Sequence, residues 1–431
     1  MKILRNQYLD KLISLKHNGM IKIVTGLRRV GKSYLLNKLF FEHLLKSGVD
    51  RTNIISLSLE GIESEKFKNN VDFYNFLKKQ IRNDEMHYFI IDEIQAIKNF
   101  EKALMSLMKF ENVDIYVTGS NSKFLSSDII TEFRGRGYVI HISPLSYKEI
   151  FDFYLKNSDE YIELISNDKM QQSWKIYELY EQYGGLPKVV LAKTIIEKKE
   201  LIKSYFENIY YNDIFERYKI KNKTLFESIV QIIAKNIGNI LNLNKIQKLM
   251  ESEYNHLNYE TVERYVKILE EAFLIYKVNR YDYKNSKIIK GYAKYYFSDL
   301  GIKNHIVGFN NIGHGFTMEN MISNTLKLNN ADLKVGYILT STLDENKKII
   351  RTEKEIDFIC NYNSKIFYIQ SCYDLNRKET HDREIKAFNS SKNDFKKIIL
   401  TESKGMIGIT EKGIHIIYIL DFLMNMKKIL N

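Results

Sequence analysis

The residues with the clearest chemical potential are a run of glycine, lysine and serine near the amino end. The stretch GLRRVGKS, residues 26–33, follows the apolar run MIKIVT and precedes a helical pattern, so it joins a strand to a helix. Its spacing is G-x4-G-K-S, in which Gly31 lets the backbone wrap closely around phosphate. Lys32 would reach the β- and γ-phosphates, and the Ser33 hydroxyl would bind Mg²⁺. The pattern predicts an ATP site formed by Gly26, Leu27, Arg28, Arg29, Val30, Gly31, Lys32, Ser33 and Tyr34.

Two carboxylates, Asp92 and Glu93, end the apolar run YFII. The end of a buried strand lies at the edge where ligands bind in open α/β sheets. We therefore predict that Asp92 holds Mg²⁺ and that Glu93 acts as the general base for the attacking water. Asp92 alone could equally cap a following helix. The two motifs in this order favour both binding and hydrolysis of ATP.

Small polar residues emerge from the next apolar run, DIYVTGSNS. Thr118, Ser120 and Asn121 would then lie beside the γ-phosphate, and we predict that Ser120 and Asn121 orient the lytic water. The alternative is a turn followed by a helix N-cap, two roles for which serine and asparagine are well suited.

Two arginines lie between glycines in FRGRGYVIHIS, just before another strand pattern. Arg136, rather than Arg134, is predicted to stabilise charge on a γ-phosphate held by a neighbouring subunit, which implies a homo-oligomer. The alternative is a pair of surface arginines in a glycine turn.

The elements that must position these residues follow from the alternation of strand and helix patterns. Strand runs such as YFII and IYV are apolar on both faces. We predict an α/β core with a doubly wound parallel sheet over residues 1–150. Helical patterns then predict a helical lid over 151–222, where YGGLP ends one helix and starts the next. Three helices and a hairpin over 223–285 have the winged-helix order, and 286–431 reads as a separate α/β domain.

The motifs GLRRVGKS, FIIDEIQ, VTGSNS, FRGRGYVIHISPLSYKEIF and YGGLP together resemble those of prokaryotic AAA-type ATPases of the archaeal-ATPase-like branch. The resemblance extends over nearly the whole chain. It implies a P-loop NTPase core with ATPase activity, a helical lid, a winged helix and a C-terminal domain of unknown function with a restriction-endonuclease-like fold. It also implies that Tyr183 to Pro187 lie near the nucleotide as part of the lid.

The C-terminal domain lacks the residues of an active PD-(D/E)xK nuclease, which carries an aspartate after one strand and Glu-x-Lys on the next. Asp357 is present, but Gln370 and Cys372 stand where the glutamate and the lysine belong. A glutamine removes negative charge from a metal site, and a neutral thiol does not replace an ammonium group. We predict an inactive domain, unless the fold brings Glu319 or Glu355 close to Asp357.

The segment NYETVERYVKILEEAF occupies the recognition-helix position of the predicted winged helix. Its candidate DNA contacts are Tyr259, Thr261, Arg264, Tyr265 and Lys267, and its acidic residues are Glu260, Glu263, Glu270 and Glu271. Because carboxylates oppose a phosphate backbone, DNA contact and protein packing both stay open as interpretations.

Composition sets the remaining bounds. The net charge of +12 permits a polyanionic partner, and the two cysteines are too few for a disulfide framework, which favours a cytoplasmic protein. Neither a signal peptide nor a membrane span is expected. The pattern as a whole predicts a Mg²⁺-dependent ATPase coupled to a protein or DNA partner. The alternatives are a nucleotide-switched DNA-binding regulator with slow turnover and an ATP-dependent nuclease.

Overall fold

The computed structural model describes residues 2–61, 65–119, 133, 135–157, 160–161, 168–254, 257–282, 285–310, 313–343, 349–376, 388 and 395–431. The chain divides into two compact units. The first comprises Met1–Pro144 with Glu271–Phe273, and the second comprises Leu145–Glu270 with Leu274–Asn431. Within the described ranges, the helices are too short or too polar to cross a membrane.

The first unit is built on a five-stranded parallel sheet. Its strands are β1 (Ile21–Thr25), β2 (Ile54–Ser58), β3 (His87–Asp92), β4 (Val113–Thr118) and β5 (Gly137–His141), in the order β2-β3-β4-β1-β5. All four pairings are parallel. The parallel sheet predicted from the alternating patterns is thereby confirmed.

Helices of the first unit alternate with its strands. They are α1 (Asn6–Ser14), α2 (Lys32–Tyr34, continuing through the π-helix Leu35–Phe40 into Phe41–Lys46), α3 (Asn70–Lys78) and α4 (Phe100–Leu107). Strands β1 and β3 are buried along their whole length. Ile23, Phe89 and Ile91 lie on the face of these strands that forms a core cluster with Leu104 and Val117, and on the other face Val24 and Ile90 are also buried.

The second unit begins with helices and ends with a mixed sheet. The helices before the sheet are α5 (Tyr147–Lys156), α6 (Lys169–Tyr183), α7 (Pro187–Leu191), α8 (Ile195–Asn208, continued by the π-helix Ile209–Phe215 and Glu216–Tyr218), α9 (Lys223–Lys235), α10 (Leu243–Met250) and α11 (Tyr259–Glu271). Local signals start two of them. A capping box between Ser146 and Glu149 begins α5, and Pro187 occupies the first turn of α7.

The sheet of the second unit has nine strands in the order β13-β14-β12-β11-β10-β9-β7-β8-β6. They are β6 (Leu241–Asn242), β7 (Ile275–Asp282), β8 (Lys287–Phe297), β9 (Asp332–Leu343), β10 (Ile349–Tyr362), β11 (Lys365–Cys372), β12 (Lys396–Thr401), β13 (Gly408–Ile409) and β14 (His415–Tyr418). Helices α12 (Leu300–Val307), α13 (His314–Leu328) and α14 (Ile419–Leu430) complete the unit.

The hairpin β7–β8 belongs to this larger sheet, because β7 also pairs in parallel with β9. The division predicted between residues 285 and 286 therefore falls between two paired strands. Sequence patterns identify strands, but a strand's partner outside its own hairpin leaves no local signal.

Candidate nucleotide site

The loop between β1 and α2 has backbone angles that residues other than glycine rarely adopt. Gly26 has φ 144°, and a Cβ atom there would lie 2.2 Å from the Ile142 carbonyl oxygen. Arg29 and Gly31 also have positive φ angles, 68° and 94°. Leu27 and Val30 are buried and anchor the loop on its apolar side. The chain thus turns tightly around a small space just after the end of β1.

Lys32 begins α2 and points back into this loop. Its side chain is almost fully buried, and its Nζ donates hydrogen bonds to the carbonyl oxygens of Gly26 at 3.1 Å and Leu27 at 3.2 Å. The ammonium group is therefore held inside the loop, where its positive charge favours the binding of an anion. Ser33 is half-buried in the same turn, and Tyr34 is 38% exposed.

The two carboxylates at the end of β3 are joined to β4 through one hydroxyl group. Thr118, the fully buried last residue of β4, donates a hydrogen bond to Asp92 Oδ1 and accepts one from the Glu93 N–H at 3.0 Å. Glu93 has φ 55°, and its carboxylate accepts a hydrogen bond from the Gln95 amide. Thr118 fixes the positions of both acidic residues, a role that its place in the sequence did not reveal.

The loop at residues 26–31 and the Asp92–Glu93–Thr118 group share one edge of the sheet. Strand β4 lies between β1 and β3, and all three run in the same direction. Their carboxyl ends therefore meet at the edge where open α/β sheets bind ligands. Ser120, Asn121 and Arg134 lie outside the described residues, so their predicted roles stay predictions.

Arg136 lies at the opposite edge of the sheet. It directly precedes β5, and its carbonyl oxygen accepts a hydrogen bond at 2.8 Å from the N–H of Ile21, the first residue of β1. The side chain is exposed. Because a strand rises about 3.3 Å per residue, the length of β1 separates Arg136 from the loop of its own chain by roughly 16 Å.

The YGGLP motif is explained by a contact inside the second unit. Gly184 has φ 70°, and a Cβ atom there would lie 2.4 Å from Asp299 Oδ1. The buried Asp299 carboxylate accepts hydrogen bonds from the N–H groups of Gly185 at 2.8 Å and Ile302 at 3.1 Å. Burial raises the pKa of Asp299 to about 6, although these N–H donors act in the opposite direction. The glycine pair thus holds the turn between α6 and α7 against the start of α12.

The acidic residues noted in the C-terminal part converge on a lysine. Lys294 of β8 forms ion pairs with Glu319 at 2.8 Å, Glu355 at 2.7 Å and Asp357 at 3.0 Å. Gln370 also lies here, and its side-chain oxygen accepts a hydrogen bond from the Asp357 N–H at 3.2 Å. Both Glu319 and Glu355 are therefore brought to Asp357.

Protonation at this centre is set by burial and by the close approach of charges. Burial alone would lower the pKa of Lys294, but Asp357, Glu319 and Glu355 together hold it well above its usual value. Burial, with the charge of Asp357, raises the pKa of Glu319 to about 8. The Tyr296 hydroxyl donates a hydrogen bond of 2.5 Å to Glu319. Cys372 instead packs in an apolar cluster with Tyr368 and Leu375.

Helix α11 exposes fewer of the candidate DNA-contact residues than its sequence indicated. Tyr265 is buried and packs against Phe226, so the prediction that it is offered to DNA is wrong. Its position in the helix places its side chain on the face that packs against the core. The charged residues exposed on α11 are Glu260, Glu263, Arg264 and Lys267.

Comparisons with known proteins agree with this geometry. Residues 18–151 match the AAA domain family, and residues 175–312 match a family described as a domain of unknown function. An uncharacterized protein of Haemophilus influenzae is 33% identical over 423 residues, which cover 98% of each chain. An uncharacterized protein of Methanocaldococcus jannaschii is 29% identical over 432 residues, covering 98% of this chain and 90% of the relative.

Among solved structures, the Aeropyrum pernix Orc1 protein in complex with DNA has a TM-score of 0.34 and 12% identity, covering 71% of this chain and 92% of its own. At this TM-score the similarity is too low to assign a fold or a function to this chain. The identity to the Haemophilus influenzae protein extends over nearly the full length, so the chain belongs to the same family as that protein, and its residues 18–151 match the AAA domain family.

Proposed function

We propose that this protein binds ATP with Mg²⁺ and hydrolyses ATP to ADP and phosphate. One observation carries the proposal. The tight loop that encloses the Lys32 ammonium and the Asp92–Glu93–Thr118 group lie at the same edge of a parallel sheet. The match of residues 18–151 to the AAA domain family supports the same conclusion.

The residues at this edge fit a magnesium triphosphate. Lys32 supplies positive charge beside the loop backbone, which suits the β- and γ-phosphates. The Ser33 hydroxyl and the Asp92 carboxylate are oxygen ligands of the kind that Mg²⁺ prefers, and both would hold the ion. Bound Mg²⁺ would neutralise charge on the phosphate oxygens. Thr118 keeps the Asp92 carboxylate in one orientation through its hydrogen bond.

Glu93 is proposed as the general base. Its backbone is fixed by the Thr118 hydroxyl, and its carboxylate is oriented by Gln95. A carboxylate in this position takes a proton from water as the water attacks phosphorus. Ser120 and Asn121 are proposed to orient that water, since in the sequence they follow Thr118, the last residue of β4.

Glu93→Gln tests the proposal directly. The amide still accepts a hydrogen bond from water but takes no proton, so ATP binding should persist while turnover falls by at least about 100-fold. Steady-state phosphate release and the affinity for a fluorescent ATP analogue would be measured. Glu111→Gln is the matched control, because Glu111 is an exposed carboxylate of the same unit. Normal turnover by Glu93→Gln would overturn the assignment of the base.

Arg136 is proposed to act on the nucleotide of a neighbouring copy. The length of β1 keeps it away from the phosphate loop of its own chain, whereas its exposed side chain can reach a second subunit. Arg136→Ala should lower turnover with little loss of ATP affinity.

Mixing Arg136→Ala with Lys32→Ala separates action between copies from action within one chain. One protein then supplies an intact nucleotide loop and the other supplies the arginine, so mixed samples should regain activity that neither protein has alone. Turnover that stays additive at every mixing ratio would contradict the role between copies.

DNA binding by a nucleotide-switched regulator is the second candidate. The order α9-β6-α10-α11-β7-β8, in which three helices precede a hairpin, supports a winged helix. The exposed charges of α11 are balanced between two acids and two bases, so DNA affinity through this helix should be weak and salt-dependent. DNA binding measured at low and high salt, with and without ATP, distinguishes this candidate from the ATPase coupled to a protein partner.

A further inference from the structure

In the second unit, the side-chain ammonium group of Lys294 is a cation surrounded by carboxyl groups. The Nζ of Lys294 lies within 3.0 Å of one oxygen from each of Glu319, Glu355 and Asp357. An ammonium group has three N–H donors, and here Nζ donates hydrogen bonds to Glu319 and Asp357 and forms an ion pair with Glu355. The side chain of Lys294 is 1% exposed, so no bulk water competes for these bonds.

Two different elements supply the carboxylates around this ammonium, and a third, β8, supplies the ammonium itself. Glu319 comes from helix α13, whereas Glu355 and Asp357 come from β10. Glu319 and Asp357 are almost fully buried, and Glu355 is 35% exposed, which gives the centre one side open to solvent. Oxygen ligands converging on one point from separate elements are the usual arrangement for a hard divalent cation.

The centre also holds more negative than positive charge. The carboxyl groups of Glu319, Glu355 and Asp357 surround one ammonium, and Glu355 and Asp357 still outnumber it where Glu319, whose pKa burial raises to about 8, holds a proton. Among the described residues, the other donors to Glu319 and Asp357 are the Tyr296 hydroxyl and the Ser371 N–H. Loss of the ammonium would leave these carboxylates facing one another, a state that strongly favours uptake of another cation.

We propose that the Lys294 ammonium is the resident cation of this centre and keeps a divalent metal ion out of the position among Glu319, Glu355 and Asp357. The protein therefore binds no Mg²⁺ or Mn²⁺ at this centre. Replacing the lysine with a small neutral side chain creates a divalent-cation site there, with carboxylate ligands and water entering past Glu355.

The test is Mn²⁺ binding by the full chain without nucleotide, measured by electron paramagnetic resonance of free Mn²⁺. Lys294→Ala should bind about one more Mn²⁺ per chain than the unmodified protein and at least about tenfold more tightly. Lys294→Arg keeps a positive charge and should resemble the unmodified protein. The first unit is identical in all variants, so metal bound at its nucleotide site cancels in the comparison.

Asp357→Asn locates the new site, because Lys294→Ala combined with Asp357→Asn should lose the additional Mn²⁺. If Lys294→Ala does not fold alone, Lys294→Gln provides a neutral side chain of similar length. Thermal unfolding then gives the readout, since Mn²⁺ should raise the melting temperature of the neutral variant but not that of the unmodified protein. A folded neutral variant with no additional Mn²⁺ overturns the proposal, as does Mn²⁺ binding by the unmodified protein that Asp357→Asn removes.

Discussion

The two units bury charge in different ways. In the first unit, Lys22 of β1 pairs with Asp114 of β4, and the Tyr116 hydroxyl donates to the same carboxylate at 2.8 Å. Charge there is balanced one to one between neighbouring strands. In the second unit, three carboxylates share Lys294, and burial raises the pKa of further carboxyl groups at Asp299 and Glu402.

The difference between the two units predicts different effects of substitution, on activity in the first unit and on stability in the second. The polar groups of the first unit that suit a nucleotide lie at the carboxyl ends of β3 and β4 and at the start of α2, at one edge of the sheet. The polar groups of the second unit lie inside it and join helices to strands, as Glu319 does, or to other helices, as Asp299 does. Substitutions at the nucleotide loop should therefore remove activity from a folded protein, and those among the buried carboxyl groups should change stability.

The largest effect is expected for Lys32→Ala. Loss of the ammonium removes the phosphate counter-charge, so turnover should fall by about 10³-fold, or ~4 kcal/mol. The free energy of unfolding should fall by only about 1–2 kcal/mol, because the carbonyl oxygens of Gly26 and Leu27 lose their buried donor. Nucleotide affinity and urea unfolding give the two readouts. Lys38→Ala is the control, since Lys38 is 59% exposed on α2 and should leave both unchanged. Unaltered ATP affinity in Lys32→Ala would remove the basis of the site.

Lys22→Met tests the balanced charges of the first unit. The substitution leaves the Asp114 carboxylate buried without its ammonium partner, which should cost about 3 kcal/mol of unfolding free energy. Lys22→Met combined with Asp114→Asn removes both charges and should recover most of that loss. Urea unfolding of the two variants makes the comparison. Equal losses in the single and the double variant would show that packing, rather than charge, is what Lys22 supplies.

Asp299→Asn tests the contact made by the glycine pair. The asparagine NH₂ group would face N–H donors that now find carboxylate oxygens, so unfolding should become easier by about 2 kcal/mol. Asp152→Asn is the matched control, because Asp152 is 50% exposed in a surface pair with Lys148 and should change stability by less than about 0.5 kcal/mol. Full stability in Asp299→Asn would mean that the turn is held by packing alone.

The sequence predicted that residues 26–33 and the Asp92–Glu93 pair follow strands of one parallel sheet because its signals are local. Residues 26–33 and the Asp92–Glu93 pair each follow an apolar run directly, and parallel strands place their carboxyl ends together. The bond from Thr118 to Asp92 depended on which strands are neighbours, so it became visible only in the fold.

Lys294 could not be identified in the same way. It lies 25 residues before Glu319 and 63 before Asp357, and a lysine in the run YAKYYF fits an exposed strand face equally well. The partner of YGGLP is equally distant, since Gly185 and Asp299 are 114 residues apart. Long-range contacts between polar side chains have no period that a sequence pattern can show.

The smallest effect concerns the pH dependence of the second unit, through Glu402. Burial raises the pKa of Glu402 to about 7, with a contribution from Glu181, while the hydrogen bond from Tyr177 and the charge of His314 act to lower it. The ordinary value is 4.5, so the folded chain holds this proton more tightly than the unfolded chain. The resulting stability is complete below about pH 4.5 and is lost as the pH rises through about 7.

Glu402→Gln removes this dependence while its carbonyl oxygen still accepts the Tyr177 hydroxyl, which now donates at 2.7 Å. At pH 8 the variant should be more stable than the unmodified protein by about 1 kcal/mol, because partial exposure reduces the full effect. At pH 4.5 the two should unfold at the same urea concentration. Glu200→Gln, on the exposed face of α8, is the control and should follow the unmodified protein throughout. Other buried carboxyl groups titrate in all three proteins, so parallel curves for Glu402→Gln and the unmodified protein between pH 4.5 and 8 would contradict the assignment.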